Sequence, residues 1–236
     1  LQAILLAVGL IVGALSVTGL SGTLVNELLF IAGDSTGVLI LMGAATSFIL
    51  GIGLTVTAAY VFLAIVLAPA LIDGGLAPMA VHLFILYWGM LSFITPPVAL
   101  GAFAAASISG ANPVATGFEA MRLGVAIYLV PFLFVLNPAL IGHGPWQGIV
   151  QAALEALLGV LLIAWSAQRH LPRLGDPGLI AAWLLGLGGL LIALPDINLQ
   201  GLALTNALGN SAGAGMIVLA LLLARFRAQQ APAVGS

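Results

Sequence analysis

The chain has 236 residues, of which 62% are hydrophobic and 5% charged, and its formal net charge is −2. A soluble domain carries roughly 25% charged residues because water must solvate its surface, so the apolar surface of this chain must face lipid. The small, scattered charge gives no support to a nucleic-acid partner, and the absence of cysteine excludes disulfides and cysteine-based metal sites.

Apolar stretches of membrane-spanning length run through the chain from its first residues. A spanning helix needs about 20 mostly apolar residues. A weaker, mixed segment over 21–35 favours an amphipathic helix at the membrane surface, and Pro131 is expected to kink the helix that contains it. We predict spans at 1–20, 121–141, 149–167, 178–194 and 201–224, and two apolar stretches, 36–53 and 57–72, on either side of an interruption.

Two polar breaks interrupt these apolar stretches. The first is Gly51-Ile-Gly-Leu-Thr-Val-Thr57, and the second is Thr95-Pro96-Pro97, which lies between the short limbs 79–94 and 98–109. Tandem prolines remove two backbone donors and force the preceding residue out of the helical region. Irregular backbone is tolerated in a membrane only inside protein or beside a polar cavity. We therefore predict a re-entrant hairpin over 79–109 with a buried tip.

Helix ends at such breaks offer groups that bind ions. Carbonyls and hydroxyls can replace the hydration shell of Na⁺, and free amides can hold an anionic substrate. An alternative interpretation is two ordinary kinks whose threonine hydroxyls bond to a carbonyl one turn earlier. The residue types leave both interpretations open. The candidate groups are the backbone of Gly51 and Gly53 and the hydroxyls of Thr55, Thr57, Ser92 and Thr95.

The arginines predict an orientation. If the first is cytoplasmic, the next predicted span leads outward, and the spans after it bring the remaining arginines back to the same side. The positive-inside rule therefore predicts a multi-pass membrane protein with a cytoplasmic C-terminus. The five basic residues are Arg122, Arg169, Arg173, Arg225 and Arg227.

The ionisable residues do not suggest an enzyme. His82, His143 and His170 are scattered, and neither H-E-x-x-H nor G-x-S-x-G occurs in the sequence, so we predict no intramembrane protease activity and no cofactor. Glu155 lies inside a predicted span, where a carboxylate is a functional candidate by default. A side chain that reaches the interface or caps a neighbouring helix is the favoured interpretation, and for His82 a packing role is favoured over a proton relay.

An ordered series of motifs resembles one transporter family. Residues 47–60, S-F-I-L-G-I-G-L-T-V-T-A-A-Y, are similar to a stretch of the tripartite ATP-independent periplasmic (TRAP) transporters, and more closely of their fused permeases of the TAXI type. The resemblance covers roughly residues 14–141, and after about 146 only the pattern of spans is similar. It continues through A-P-A-L at 68–71, H-L-F at 82–84, I-T-P-P-V-A-L at 94–100, G-A-N-P at 110–113, V-P-F at 130–132 and N-P-A-L at 137–140.

This resemblance implies a fold and a function. It implies an all-α integral membrane protein, a multi-spanning helical bundle with broken helices and a re-entrant hairpin, forming the second half of an inverted-repeat elevator-type transporter. Residues 1–145 would be that half of the transporter core, and 146–236 a C-terminal membrane extension of about three spans. The chain would be the C-terminal part of the large membrane subunit, with an N-terminal part of the same permease as its partner.

The implied activity is Na⁺-coupled uptake of a small organic acid, delivered by a periplasmic binding protein, across a bacterial inner membrane. Na⁺ is then the coupling ion and the only metal. Thr55 stands where the TAXI pattern usually has proline, which restores a backbone donor in that loop, and Ser92 stands where relatives often have glycine. The matched cation-site residues are Gly51, Ser92, Thr95 and Val98, and the residues assigned to substrate are Thr55, Thr57, Pro96 and Pro97.

A channel, or a secondary transporter that needs no binding protein, is the alternative function. Channels usually build their filter by symmetric assembly of one loop, whereas two different breaks in one chain fit alternating access better. A purely structural membrane subunit would explain the helices but would give no reason for two polar breaks in apolar stretches.

Overall fold

The structure is a computed structural model, and it describes residues 10, 13–14, 17–33, 35–51, 54–172, 174–195, 197–199, 202–204 and 206–230. Most of the predicted span 1–20 lies outside these residues, as do Gly53 and Arg173. The chain forms two compact units that divide between Met121 and Arg122. The division predicted at 145–146 separates the family-like region from an extension, and it stays a prediction.

The first unit is built from short helices. Its elements in chain order are α1 (Leu20–Ala32), α2 (Thr36–Gly51), α3 (Val56–Val66), α4 (Ala68–Asp73), α5 (Pro78–Met90), a 3₁₀ turn (Leu91–Phe93), α6 (Leu100–Ser109) and α7 (Pro113–Leu123), in which the unit boundary falls.

Local side chains fix where several of these helices begin and end. The Ser35 hydroxyl accepts a hydrogen bond from the backbone N–H of Val38 at 3.4 Å, and Asn112 Oδ1 accepts from Ala115 N at 3.1 Å. Both bonds satisfy an amide that has no partner inside its own helix, which is why such residues favour N-caps. At the other end of a helix, Gly110 closes α6 in the left-handed conformation.

The core of the first unit lies between α2, α3, α4 and α5. Leu63, Leu71, Phe84 and Ile85 are fully buried there. Helix α2 carries Gly43 where it packs closely against α4 and α5. A Cβ on Gly43 would lie 3.0 Å from the Leu71 side chain of α4 and 3.4 Å from the Phe84 side chain of α5. Small residues therefore let large apolar side chains of the neighbouring helices fill the space.

The second unit contains the longest helices that the structure describes. Its elements are α8 (Val125–Leu136), a 3₁₀ turn (Pro138–Ile141), α9 (Trp146–Gln168), α10 (Leu179–Ala193), the antiparallel strands β1 (Ile197–Leu199) and β2 (Leu202–Leu204), and α11 (Asn206–Gln230).

Glycines set the contacts between α9, α10 and α11. A Cβ on Gly159 would lie 2.5 Å from the carbonyl oxygen of Gly189, and a Cβ on Gly188 would lie 2.9 Å from that of Gly213. The helix backbones are therefore in contact. Close packing of this kind holds helices together in lipid, where the hydrophobic effect does not drive their association. The Arg122 guanidinium also donates to the last carbonyls of α9, at Ala167 (2.9 Å) and Gln168 (3.0 Å).

Two of the described helices, α9 and α11, are long and apolar enough to cross a membrane, and the bent pair α7–α8 would supply a third if it forms one span. The shorter apolar helices are α2, α3, α5 with its 3₁₀ turn, α6 and α10. The predicted fold class, an all-α integral membrane protein, is confirmed, with one short β-hairpin added. The re-entrant hairpin and the inverted repeat stay predictions.

Three element boundaries differ from the predicted ones. The apolar stretch 57–72 is two helices, because α3 ends at Val66 and α4 begins at Ala68 with Pro69 in its first turn. The segment 121–141 is interrupted at Gly124, where α7 and α8 meet at a bend of 43°. Pro131 lies inside α8, and a kink there stays a prediction. The helix predicted from 201 begins only at Asn206, because the residues just before it form strand β2.

Candidate functional site

Buried hydroxyl groups mark the candidate site. Among the described residues, the buried polar side chains are Ser47, Ser92 and Thr95, and all three belong to the first unit. Ser47 lies on α2, one turn before the predicted glycine break, and the other two lie in the turn that follows α5. Helix α2 ends at Gly51 and α3 begins at Val56, so the first predicted break is present in the structure.

Helix α2 and the turn after α5 meet at Gly51. The Ser92 hydroxyl donates to the Gly51 carbonyl oxygen at 3.1 Å, and it lies 3.4 Å from the Gly89 carbonyl oxygen of its own helix. A Cβ on Gly51 would lie only 2.5 Å from that Gly89 oxygen. Glycine is therefore required at Gly51 by close backbone approach, and the last carbonyl of α2 is held against a buried hydroxyl.

The turn after α5 is tightly folded around Thr95. The Thr95 hydroxyl donates to the Leu91 carbonyl oxygen at 2.8 Å, and the backbone N–H of Thr95 donates to the same oxygen at 3.1 Å. Ala99 is fully buried with φ 35°, and its N–H donates to the Thr95 carbonyl oxygen at 3.1 Å. The Thr95 hydroxyl thus makes the one-turn-back bond of the kink interpretation. A hydroxyl group can accept as well as donate, so this bond does not by itself exclude a ligand role.

Ser47 is a candidate that the sequence analysis missed. Its side chain is 0% exposed, and its hydroxyl has no hydrogen-bond partner among the described residues. An unsatisfied buried hydroxyl costs about 1–3 kcal/mol, so its presence needs an explanation. The available signal was its spacing, because residues four apart on a helix share a face and Ser47 is four residues before Gly51.

The residues assigned to substrate do not join this cluster through any described hydrogen bond. Thr55 is exposed, and its hydroxyl caps α3 by accepting from Ala58 N at 3.3 Å. Thr57 and Pro97 are exposed, and Pro96 lies against Gly117, where a Cβ would come within 2.8 Å of its ring. The structure therefore brings Ser92 against Gly51, while Thr95 is buried and Val98 half-buried in the turn that follows Ser92.

The two ionisable residues considered in predicted spans have protein partners. His82 Nδ1 and the Tyr60 hydroxyl are 3.1 Å apart, a contact between α5 and α3 that fits a packing histidine. Glu155 Oε1 accepts from Gln151 Nε2 at 2.9 Å and from Asn210 Nδ2 at 3.2 Å, so this carboxylate links α9 to α11. The His82 contact agrees with the favoured packing role. The bonds of Glu155 indicate a structural role, but they join it to side chains of α9 and α11 and do not cap a neighbouring helix.

Apolar helices that end beside buried hydroxyls, in a chain with membrane-spanning helices, are typical of membrane-embedded secondary transporters. A family model described as "Tripartite ATP-independent periplasmic transporter, DctM component" matches residues 1–149. The chain therefore belongs to the DctM family and carries permease sequence of a TRAP transporter, which confirms the predicted TRAP resemblance. No curated protein and no solved structure matches the chain.

Proposed function

We propose that the chain forms part of a Na⁺-coupled permease that takes up a small organic acid across a bacterial inner membrane. Its partners in this proposal are a periplasmic solute-binding protein and an N-terminal part of the same permease, and the sequence is of the fused TAXI type with a cytoplasmic C-terminus. The name of the matched family describes a tripartite periplasmic transporter, which supports a binding-protein partner.

The observation that carries the proposal is the group of hydroxyls buried around the α2 break. Polar groups inside a membrane protein are costly unless they are bonded or functional. Ser47, Ser92 and Thr95 are the buried polar side chains of the described residues, and they lie on the two segments that the sequence predicts to be broken. A structural role would place such groups on ordinary kinks, and it would not explain the Ser47 hydroxyl, which has no hydrogen-bond partner among the described residues.

The available ligands suit an alkali cation. They are carbonyl and hydroxyl oxygens, which hard cations prefer. The structure describes no group of three or more His, Asp or Glu side chains that would hold a transition metal. Gly51 O and Ser92 Oγ are 3.1 Å apart, so both can face one ion once the Ser92 proton turns away. A hydroxyl rotates readily, and the change gives up one hydrogen bond, worth about 1 kcal/mol.

The substrate residues of the proposal remain Thr55, Thr57, Pro96 and Pro97. An organic acid would use amide and hydroxyl donors near the start of α3 and the turn after α5, and Val98 would add a backbone group to the cation site. Segments 51–57 and 92–98 contain no basic residue, so the proposal assigns the carboxylate to amide and hydroxyl donors of these segments.

Reconstituted transport tests the proposal. The full-length permease would be placed in proteoliposomes with its binding protein and an imposed Na⁺ gradient, and candidate organic acids would be screened with each component omitted in turn. Uptake that requires both Na⁺ and the binding protein is the expected result. Saturable uptake without the binding protein would support the alternative of an independent secondary transporter, and non-saturable flux would support a channel.

Ser92→Ala then tests the site itself. Removal of this hydroxyl should raise the Na⁺ concentration for half-maximal uptake by roughly tenfold, because a hydrogen-bonding group that serves a charge contributes about 1.5–3 kcal/mol. Ser107→Ala is the matched control, since Ser107 is exposed on α6 and its hydroxyl donates to Ala104 O of its own helix at 2.7 Å. An unchanged Na⁺ response in Ser92→Ala would remove Ser92 from the site.

A further inference from the structure

The second unit contains an apolar groove along α8, α9 and α10. Its volume is about 440 Å³, and its walls include Val125 and Leu129 of α8, Ile163 of α9, and Leu187 and Leu190 of α10. This volume is within the range of about 300–1,000 Å³ typical of small-molecule sites. The groove has one charged lining residue, Arg169, which follows the last residue of α9.

A second cavity adjoins the groove at this arginine. It has a volume of about 320 Å³, and Arg169 and Leu179 line both cavities. Arg227, from the last turns of α11, also lines this cavity, and its guanidinium lies close to Gly178, where a Cβ would be 3.2 Å from Arg227 Cζ. The apolar groove therefore leads into a pocket bordered by two guanidinium groups, and no acidic side chain lines either cavity.

The two arginines are only partly neutralised. Arg169 Nη2 lies 3.4 Å from Asp176 Oδ2, and the two side chains are 44% and 55% exposed, a geometry in which an ion pair contributes little. The backbone N–H of Gly178, at 2.8 Å from Asp176 Oδ1, holds the pKa of this carboxyl below its usual value, with a smaller contribution from the two arginines. One ionised carboxylate therefore faces two cationic side chains, and one positive charge remains.

The arginines also lie at the ends of helices that are long enough to cross a membrane. Arg169 directly follows α9, and Arg227 is the last residue of the apolar stretch Leu208–Arg227 of α11. Among the described helices, α9 and α11 are the two that are long and apolar enough to cross a membrane. Arginine at the end of a spanning helix sits at the interface, where it attracts anionic lipid. Arg122 is used differently, because its guanidinium donates to the carbonyls at the end of α9.

We propose that these two cavities form a binding site for one anionic phospholipid, with its phosphate between Arg169 and Arg227 and an acyl chain in the groove along α8, α9 and α10. A protein helix could cover the apolar walls, but it would leave the guanidinium pair without an anion. A zwitterionic lipid would fill the groove and bring no net charge to the pocket. The combination of walls and charge matches an anionic lipid.

Lipid binding to the intact permease tests this site. Purified permease in detergent would be titrated with phosphatidylglycerol or with phosphatidylcholine of the same chains, and native mass spectrometry and the thermal unfolding midpoint would report binding. Phosphatidylglycerol should bind more tightly and raise the midpoint more. Equal binding of the two lipids would overturn the proposal, as would an equal rise in the midpoint with inorganic phosphate and no lipid.

Charge variants locate the site. Arg169→Gln and Arg227→Gln should each weaken phosphatidylglycerol binding by about fivefold, the worth of one basic residue near an anionic lipid surface. Arg225→Gln is the control, because this substitution removes the same charge from α11. Arg225 is exposed and lines neither cavity. Equal weakening by all three variants would show a diffuse surface effect and overturn the site.

Asp176→Asn gives a prediction of opposite sign. The variant removes the carboxylate that competes for Arg169 and keeps an oxygen to accept from Gly178, so phosphatidylglycerol should bind more tightly than to the wild type. Weaker binding would mean that Asp176 supports the site by other means and would contradict the arrangement proposed here. Phosphatidylcholine binding should not change, which separates the charge effect from a change in folding.

Discussion

The two units of this chain use the same device, glycine at a helix contact, with different results. In the first unit, Gly51 lets α2 end against the backbone of α5, and hydroxyls are buried beside that end. In the second unit, Gly159 and Gly188 let α9, α10 and α11 run past one another without a break, and the described residues there bury no polar side chain. Close backbone approach can therefore accompany either a helix end beside buried hydroxyls or the packing of complete helices.

The difference follows from what surrounds each glycine. Around Gly51 the chain leaves the helix, so the last carbonyls of α2 need partners, and Ser92 supplies one of them. Around Gly159 the helix α9 continues, so its carbonyls follow the regular bonding pattern of a helix interior. The first arrangement has the carbonyl and hydroxyl oxygens that the proposed ion site requires. The second arrangement packs α9, α10 and α11 against one another.

The largest expected effect separates these two roles of glycine. Gly51→Ala and Gly159→Ala each place a Cβ 2.5 Å from a backbone oxygen, so each should destabilise the fold by about 1–3 kcal/mol. Only Gly51→Ala should abolish uptake per folded molecule, because it moves a proposed ligand. Thermal unfolding and proteoliposome uptake would measure the two effects. An equal loss of uptake in both variants would contradict the comparison.

A second test concerns Thr95 and its one-turn-back bond. Thr95→Val removes the hydroxyl with little change in shape and should raise the Na⁺ requirement roughly tenfold, whereas Thr95→Ser should restore a nearly normal response. Thr116→Val is the control, because the Thr116 hydroxyl donates to Asn112 O at 2.9 Å, the same kind of bond on α7. If both valine variants respond alike to Na⁺, the kink interpretation is sufficient for Thr95.

A third test compares two serines whose substitution should act in opposite directions. Ser47→Ala removes an unsatisfied buried hydroxyl and should raise the free energy of unfolding by about 1 kcal/mol. Ser166→Ala removes a bond from α9 to the Ala182 carbonyl of α10, at 2.7 Å, and should lower it by about 0.6 kcal/mol. If the Ser47 hydroxyl contributes to Na⁺ binding, Ser47→Ala will be more stable than the wild type but will show less Na⁺-coupled uptake. Unchanged transport would limit Ser47 to packing.

The smallest expected effect is a pH dependence in the second unit. The pKa of Asp176 is lowered from its usual 3.8, chiefly by the Gly178 N–H. A carboxyl whose pKa is lowered in the folded state stabilises the fold above its unfolded pKa and loses this contribution as the pH falls through the folded value. The unfolding midpoints of the wild type and Asp176→Asn should therefore differ at neutral pH and converge below about pH 3.8. A constant difference would count against this account.

Much of the fold could be predicted from the sequence because membrane helices obey a simple rule. The apolar runs gave α2, α9 and α10 to within a few residues, and the polar motif at 51–57 gave the break after Gly51. Boundaries that depend on one residue were harder to predict. Pro131 is accommodated inside α8, whereas Gly124, an unremarkable residue in the sequence, interrupts the helix before it.

The candidate site was predicted only in part. The motifs pointed to Gly51, Ser92 and Thr95. The structure joins Ser92 to Gly51 and buries Thr95 in the turn after Ser92, and their role in ion binding stays a prediction. Ser47 was missed because a serine inside an apolar helix normally bonds to its own backbone, and only the packed structure shows that its hydroxyl does not. The partners of Glu155 and His82 were equally invisible, since both involve residues from other helices far along the chain.

The sequence by itself determined that this chain is a membrane protein, that its helices are interrupted at two polar motifs, and that it is related to the TRAP permeases. These conclusions rest on amino-acid composition and on short sequence motifs, neither of which depends on how the helices pack. The tertiary structure decided which oxygens meet at the break after Gly51, and it joined an apolar groove to Arg169 and Arg227. Such meetings join residues distant in sequence, because helix packing, rather than any local pattern, sets which side chains lie within reach.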